Sequence, residues 1–147
     1  MKLYIQEDSR CQELTVRIEC ERLDSEVEAL AAQIKSYGCT ILGKKDGVME
    51  QIRLSDIYYI EAVDGKTYIY CEKDVFQSDL RLYECEEKLA AADFVRASKS
   101  CILNLSKVER FRSTLNRKIE VYLENGEKVE INRTYVAKIR ERLKEGV

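Results

Sequence analysis

Four polar residues stand directly before an apolar run in the segment FVRASKSCILN, residues 94–104. Arg96 and Lys99 supply two cations, and Ser98 and Ser100 supply two hydroxyls. Cations of this kind donate hydrogen bonds to phosphates or to guanine, and hydroxyls donate to phosphate oxygens. The segment therefore indicates contact with nucleic acid. On its own it fits an internal role equally well, with Arg96 paired to a neighbouring carboxylate and Ser98 closing a turn.

Two further segments offer the same chemistry. The predicted hairpin VDGKTYIY, residues 63–70, places Lys66 and Thr67 at its tip, where an isolated lysine otherwise serves only solubility. The segment INRTY, residues 131–135, places Asn132 and Arg133 at a predicted helix N-terminus. Unpaired N–H groups and the helix dipole favour an anion there. The alternative is that Asn132 only caps the helix and Arg133 points to water.

The distribution of charge supports a polyanionic partner for the second half of the chain. The net charge of the 147 residues is −2. Residues 94–147 nevertheless contain 13 Lys and Arg against 7 Asp and Glu, a net of +6, which leaves −8 for residues 1–93. Such a change of sign along the chain is typical of proteins with one basic binding surface.

The composition argues against an enzyme and against a metal protein. The chain has no histidine, which removes the commonest general base and the usual partner of a nucleophilic Ser or Cys. Six cysteines are spread through the sequence without a C-x-x-C pair, so we expect most of them to be reduced, buried and inert. Cys101, beside Lys99, is the candidate for a reactive thiol, but its apolar neighbours indicate burial. We expect no cofactor and no metal.

Short strands joined by tight turns predict a mainly β (α+β) fold with antiparallel pairing. Three Asx-Gly pairs, Asp46-Gly47, Asp64-Gly65 and Asn125-Gly126, lie between runs rich in β-branched and aromatic residues. The predicted strands are Cys39–Leu42, Val48–Leu54, Ile57–Ala62, Thr67–Glu72, Ile119–Leu123 and Lys128–Ile131. The apolar run Cys101–Leu103 is typical of a buried strand.

Three helices are predicted, each with an apolar face that we expect to join the core. The first begins after Asp24 and ends at Gly38, the second follows Ser78 or Asp79, and the third follows Asn132. The predicted inward residues are Val27, Leu30, Ala31 and Ile34, then Leu82, Cys85 and Leu89, then Val136, Ile139 and Leu143.

The first 43 residues are predicted to form a small strand and helix unit. Leu14, Val16 and Ile18 alternate with polar residues, which is typical of a half-buried strand. No Gly-, Ser- or Pro-rich linker follows, so we expect this unit to pack on the rest of the chain. The sequence contains no apolar run long enough to span a membrane and no signal peptide, so a cytoplasmic location is expected.

From about Lys44 to its end the chain resembles the LytTR DNA-binding domain of LytR-type and AlgR-type bacterial regulators. The resemblance is carried by three stretches, which are LSDIYYIEAVDGKTYIY (54–70), LRLYECEEKLAAADFVRASKSCILNLSKVERF (80–111) and ENGEKVEINRTYVAKIRERL (124–143). It implies two regions, an N-terminal unit 1–43 for dimerisation or signal input and a LytTR domain 44–147.

The resemblance also implies how double-stranded DNA would be contacted. Loops at a sheet edge enter two successive major grooves, and the duplex bends across the minor groove between them. Carried over by position, base readout falls to Lys99 and Arg133, with Lys66 or Thr67 at the other groove. Arg96 is expected to contact phosphate and Asn132 to cap its helix. The predicted DNA-binding residues are Lys66, Thr67, Arg96, Ser98, Lys99, Ser100, Asn132 and Arg133.

Departures from the family pattern limit what the resemblance implies. Many members carry histidine in the first loop and at the position of Ser98, so the base preference of relatives does not transfer. A receiver domain would need about 120 further residues. The architecture is instead similar to short, receiver-less LytTR regulators of Gram-positive bacteria, which tend to act with a membrane protein encoded nearby.

The sequence therefore predicts a sequence-specific transcriptional regulator that acts as a homodimer on DNA and has no small-molecule substrate. Two alternatives stay open. One is a protein-interaction or anti-regulator module with the same fold and no DNA affinity, which the near-neutral net charge favours. The other is a small enzyme that uses Cys101.

Overall fold

The computed structural model describes residues 1–90 and 92–145, with side chains described as far as residue 140. In chain order its elements are α1 (Ser25–Ser36), β1 (Thr40–Lys45), β2 (Val48–Arg53), β3 (Ile57–Val63), β4 (Lys66–Cys71), β5 (Val75–Ser78), α2 (Leu82–Lys88), β6 (Phe94–Ser98), β7 (Cys101–Asn104), β8 (Val108–Ser113), β9 (Ile119–Leu123), β10 (Lys128–Ile131) and α3 (Arg133–Glu145). Short 3-10 turns, Leu54–Asp56 and Leu105–Lys107, join β2 to β3 and β7 to β8.

The strands form two antiparallel sheets, which confirms the predicted mainly β fold. A seven-stranded sheet has the order β2-β1-β5-β4-β3-β7-β6, and a three-stranded sheet has the order β10-β9-β8. Strand β3 is central in the larger sheet because it pairs with β4 on one side and with β7 on the other. Strand β1 spans the predicted boundary at residue 43 and belongs to this sheet.

Each of the three Asx-Gly pairs forms the turn of a hairpin, as predicted. Asp46 and Gly47 join β1 to β2 with φ angles of 52° and 79°, and Asp64 and Gly65 join β3 to β4 with 51° and 76°. Two consecutive residues with positive φ match the right-handed twist of the strands, and Asp and Gly adopt this conformation at low cost. These turns fix the register of both hairpins.

The core lies on both faces of the larger sheet, since alternate residues of its strands point to opposite sides. In β7 all four residues are buried. Ile102 packs with α2 residues on one face, and Cys101 and Leu103 pack with the smaller sheet and α3 on the other. Helix α2, the larger sheet, and the smaller sheet with α3 therefore form three layers, and the predicted buried strand Cys101–Leu103 is confirmed.

The predicted helices differ in how well they match the structure. Leu82, Cys85 and Leu89 of the second helical segment are buried, as are Val136 and Ile139 of α3, and Leu143 lies outside the described side chains. The predicted start of the second helix was wrong. Ser78 ends β5, and its hydroxyl accepts a hydrogen bond from the Leu80 N–H at 3.1 Å. Helix α2 instead begins at Leu82, where the Glu84 carboxylate accepts from the Arg81 N–H at 3.0 Å.

Of the two predictions about the N-terminal unit, the strand was wrong for the single chain, and packing on the rest of the chain was confirmed only in part. Residues 14–18 belong to no strand pair within the described chain, and Leu14 is 87% exposed. Helix α1 is capped by Asp24 as predicted, but none of its residues is buried. Its apolar face contributes only half-buried side chains, and the helix contacts α3 and the turn at 54–56. The chain supplies too little facing surface to cover this unit.

The cysteines divide between the two parts of the chain. Cys85 and Cys101 are buried and Cys71 is half-buried, but Cys11, Cys20 and Cys39 are exposed. The expectation of mostly buried cysteines was therefore wrong, because half of them lie in or next to the loosely packed N-terminal unit. None of the helices in the described part of the chain has the length and apolar character needed to cross a membrane.

Candidate nucleic-acid interface

The first two predicted loops lie side by side at one end of the larger sheet. Strands β3 and β7 are neighbours with Glu61 opposite Cys101. Beyond that pair the Ala62 N–H donates to the Ser100 carbonyl at 2.8 Å. The β3–β4 turn, which carries Lys66, and the β6–β7 turn, which carries Lys99, therefore leave the sheet at the same end.

The third predicted segment joins them through the outermost strand of the sheet. The Asn132 N–H donates to the Ala97 carbonyl of β6 at 2.8 Å, which fixes the start of α3 beside the β6–β7 turn. The Asn132 side chain accepts a hydrogen bond from the Thr134 N–H at 3.0 Å, so it caps α3 as predicted. We call the edge formed by residues 64–66, 98–100 and 132–133 the polar rim.

Arg96 and Ser98 take the internal roles that the sequence left open. The Arg96 guanidinium donates to the Glu86 carboxylate and to the Lys99 carbonyl, both at 2.7 Å, and its side chain is only 20% exposed. The Ser98 hydroxyl accepts from the Ser100 N–H at 3.2 Å. These bonds hold the β6–β7 turn against α2. Arg96 therefore positions Lys99, and a phosphate contact by Arg96 would compete with its ion pair to Glu86.

Three cations of the polar rim extend into solvent. Lys66, Lys99 and Arg133 are exposed, and within the described residues their side chains form no hydrogen bond or ion pair. Thr67 differs, because only 5% of it is exposed where it pairs with Ala62 and Ser78. At the hairpin Lys66 is thus the residue available to a partner. Unpaired cations on a fixed backbone are suited to binding phosphates and base edges.

Comparison with known proteins identifies the family. The family model described as the LytTr DNA-binding domain matches residues 47–144. The chain belongs to the LytTR DNA-binding domain family. A solved LytTr DNA-binding domain of a Bacillus cereus protein superposes with a TM-score of 0.67 at 25% identity, over 71% of this chain and 95% of that one.

Two groups of relatives differ in how much of their length is shared. The sensory transduction protein LytT of Enterococcus faecalis is 32% identical over 88 residues, which is 60% of this chain and only 36% of that protein. An uncharacterized HTH-type transcriptional regulator of Staphylococcus aureus strain MSSA476 is 27% identical over 97% of this chain and 98% of its own length. The family and the similarity to the Staphylococcus aureus regulator support a DNA-binding transcriptional regulator, a class that is typically non-enzymatic.

The LytTR domain has a further basic loop beside the polar rim that the sequence analysis missed. Residues 115–118 of the β8–β9 loop line a surface depression together with Asn132 and Arg133. Arg117 is exposed and has a φ of 60°, and Lys118 pairs with Glu130 at 3.1 Å. The run Asn116-Arg117-Lys118 was the available signal. It was overlooked because β8, which carries few buried residues, was not predicted as a strand.

The opposite end of the larger sheet in the LytTR domain carries charges of both signs. The β4–β5 turn carries Glu72 and Asp74, and Lys45 near the β1–β2 turn forms an ion pair with Asp74. The exposed Lys73 lies on the same turn, far along β4 from Lys66. The polar rim thus has unpaired cations, whereas the opposite end has mixed charges, and Lys73 provides a control for any effect of removing a lysine.

The chemistry near the rim gives no support to a catalytic thiol or a metal site. Burial raises the pKa of the Cys101 thiol to about 12, with Glu61 adding to the rise and Arg96 opposing it. A thiol with so high a pKa is protonated near neutral pH and is a poor nucleophile. Among the described residues, no three His, Cys, Asp or Glu side chains gather where they could hold a metal ion.

Proposed function

We propose that the chain binds double-stranded DNA sequence-specifically through the polar rim, with loops entering successive major grooves. The observation that carries this proposal is the pair of backbone hydrogen bonds, Ala62 to Ser100 and Asn132 to Ala97, that joins three distant segments at one edge. Their free cations then face a partner together.

Distinct roles follow from the contacts of each residue. Lys99 and Arg133 are proposed to donate to guanine O6 and N7, which are the acceptors that lysine and arginine read in the major groove. Lys66 serves the neighbouring groove. Arg96 acts through its bond to the Lys99 carbonyl, and Asn132 acts by capping α3. Ser98 and Ser100 keep the turn compact, so that its backbone can approach the duplex closely.

The β8–β9 loop extends this surface. Arg117 is proposed to contact a phosphate flanking the groove that Arg133 enters, since both residues border the same depression. A phosphate contact positions the protein without reading sequence. Arg117 is therefore expected to contribute equally to binding of all duplexes.

The biological setting is also a proposal. The chain would regulate transcription as a homodimer on paired or repeated sites in the cytoplasm. The unit of residues 1–43 would supply dimerisation or signal input, and a membrane protein would be a regulatory partner. The acidic net charge of residues 1–93 suits contacts with a protein better than contacts with DNA.

Binding measurements on the purified chain test the proposal. Duplexes selected from a random library provide the specific DNA, and a shuffled version of the winner provides the non-specific DNA. We expect Lys99→Ala to weaken binding of the selected duplex by about 1–3 kcal/mol and to relax preference at one base pair. Lys73→Ala, at the opposite end of the sheet, should bind both duplexes as wild type does. If Lys99→Ala discriminates the two duplexes as well as wild type, Lys99 does not read a base.

The salt dependence separates DNA binding from the alternative of a protein-interaction module. Binding through several phosphates should weaken steeply between about 50 and 200 mM salt, with a log–log slope near −0.9 per contact. Lys66→Ala and Arg117→Ala should each reduce the slope by about one unit on both duplexes. A shallow slope, together with no enrichment of any sequence in the selection, would favour the protein partner.

A further inference from the structure

Residues 14–20, LTVRIEC, have the pattern of a strand without a strand partner. Leu14, Val16, Ile18 and Cys20 alternate with Thr15, Arg17 and Glu19. Within the described chain this segment has no helix, turn, bend or strand pairing, although the larger sheet ends in the edge strands β2 and β6. Leu14 is 87% and Val16 55% exposed. An apolar alternating segment in this state lacks the surface that would cover it.

Helix α1, in the same unit, also has an apolar face that is not fully covered. It is amphipathic, begins with a well-formed cap at Asp24 and follows the segment after only a short connection at residues 21–24. Its apolar stripe stays half-buried, and none of its twelve residues is buried. A short helix is stable in water only when its apolar face packs. The strand segment and the helix therefore both lack facing surface in a single chain.

The charges of the segment show that a second copy of the same segment fits it. When two copies run antiparallel with Ile18 opposite Ile18, Arg17 of each chain faces Glu19 of the other, and Val16 faces Cys20. Shifting the register by two residues places Arg17 opposite Arg17 in one direction and Glu19 opposite Glu19 in the other. Opposite charges across strands stabilise a pair, and like charges destabilise it. Only the first of these three registers combines an apolar face with two attractive charge pairs and no like-charge pair.

We propose that residues 16–20 pair antiparallel with residues 16–20 of a second copy of this chain, with Ile18 on the two-fold axis. The pairing is isologous, because each copy uses the same segment. One face of the resulting two-stranded ribbon carries Val16, Ile18 and Cys20 from both chains, and the other carries the Arg17–Glu19 pairs. This surface lies outside the polar rim and does not depend on DNA binding.

The apolar face of the ribbon must pack against another element, and α1 can provide that surface. A two-stranded ribbon alone is marginally stable in water, and it becomes stable when its apolar face packs against a helix. The half-exposed stripe of α1 is connected to the strand by four residues, so each chain carries a helix within reach of the ribbon. Two strands and two helices would then form a small shared core between two LytTR domains.

Disulfide trapping tests the register directly. In a background with Cys11→Ser, Cys20→Ala and Cys39→Ser, Ile18→Cys should form a cross-linked dimer under mild oxidation in the absence of DNA. Directly opposed residues on antiparallel strands have Cβ atoms about 4.5–5.5 Å apart, close to the span of a disulfide. Thr15→Cys in the same background is the matched control, because two copies of that residue would lie about 20 Å apart.

The cross-linking outcomes show whether the segment pairs with a second copy of itself or with another surface. Efficient, concentration-independent trapping at residue 18 and little at residue 15 supports the proposal. Equal trapping at both positions indicates random collision and overturns it. A dimer in solution that Ile18→Cys does not trap also overturns it, since the segment then meets another surface, such as an edge strand of the second copy. A chain that stays monomeric at high concentration overturns it as well.

Charge reversal provides an independent readout by sedimentation or light scattering. Arg17→Glu turns two attractive pairs into repulsive ones, which should weaken the dimer by about tenfold. Glu19→Arg should weaken it similarly, and the double variant Arg17→Glu with Glu19→Arg should restore it. Both side chains are exposed in the single chain, so folding of the variants should be unchanged by circular dichroism. Failure of the double variant to restore the dimer contradicts the register.

Discussion

The chain from β1 onward and the residues before β1 carry similar apolar patterns, but only the chain from β1 onward buries them. Within the described chain, every buried apolar residue lies between Ile41 and Ile139. Large apolar residues that are exposed are concentrated before residue 40, namely Met1, Leu3, Tyr4, Ile5, Leu14, Val16, Leu23 and Tyr37. A periodic apolar pattern thus shows which face of an element is suited to burial. It does not show whether the same chain supplies the surface that buries it.

The two regions should therefore respond differently to the loss of apolar side chains. Ile60 lies fully buried in β3, at the centre of the larger sheet, and Ile60→Ala should lower the free energy of unfolding by about 2–5 kcal/mol. Leu14→Ala should change it by less than about 0.5 kcal/mol at protein concentrations where the chain is monomeric. Urea unfolding followed by circular dichroism measures both. A comparable loss in Leu14→Ala would show that the N-terminal unit packs on its own domain.

The alkylation rates of the cysteines test the same difference between the two regions without altering stability. Cys11 and Cys39 are exposed, while Cys85 and Cys101 are buried, with pKa values raised mainly by burial. Alkylation requires an accessible thiolate, so the buried pair should react at least about a hundredfold more slowly with iodoacetamide at pH 8. Mass spectrometry of the native protein over time measures each rate. Fast alkylation of Cys101 would instead support the alternative of a small enzyme that uses this cysteine.

Local sequence signals predicted the parts of the fold that depend on neighbouring residues. The Asp46-Gly47 and Asp64-Gly65 turns and the Asn132 cap need only adjacent residues to form, and all were predicted. Strand β5 was missed because only Val75 and Phe76 of its four residues are apolar, and β8 because its burial does not alternate. Propensity and periodicity are weak in both cases.

The candidate site could be predicted only by residue type and by resemblance. Which loops meet depends on the strand order, in which β7 lies beside β3 and the start of α3 lies beside β6. Those pairings join residues far apart in sequence, and no local pattern encodes them. The bonds of Arg96 to Glu86 and Lys99 show the same limit, because the sequence offered several carboxylates as partners.

A buried polar residue sharpens the contrast with exposed positions. Asn104, at the end of β7, is 2% exposed. Its amide donates to the Ile57 carbonyl at 2.8 Å and accepts from the Ser106 N–H at 3.0 Å. Asn104→Ala leaves these groups without partners and should destabilise the chain by about 1–3 kcal/mol. The exposed Asn116→Ala is the control and should be nearly neutral in the same unfolding measurement. Equal effects would mean that the Asn104 bonds do not hold β3 to β7.

Removing the cap of a single helix gives the smallest expected change in stability, and it tests the comparison one helix at a time. Asp24 accepts from the Val27 N–H at 3.0 Å, and Asn132 forms the equivalent bond for α3. A cap contributes about 1 kcal/mol to its own helix. Helix α3 buries Val136 and Ile139, so Asn132→Ala should lower global stability by that amount. Helix α1 has no buried residue, so we expect it to open separately from the domain. Asp24→Ala in the monomeric chain should therefore leave global unfolding unchanged while hydrogen exchange speeds up in α1 alone. A global loss in Asp24→Ala would mean that α1 is part of the domain core.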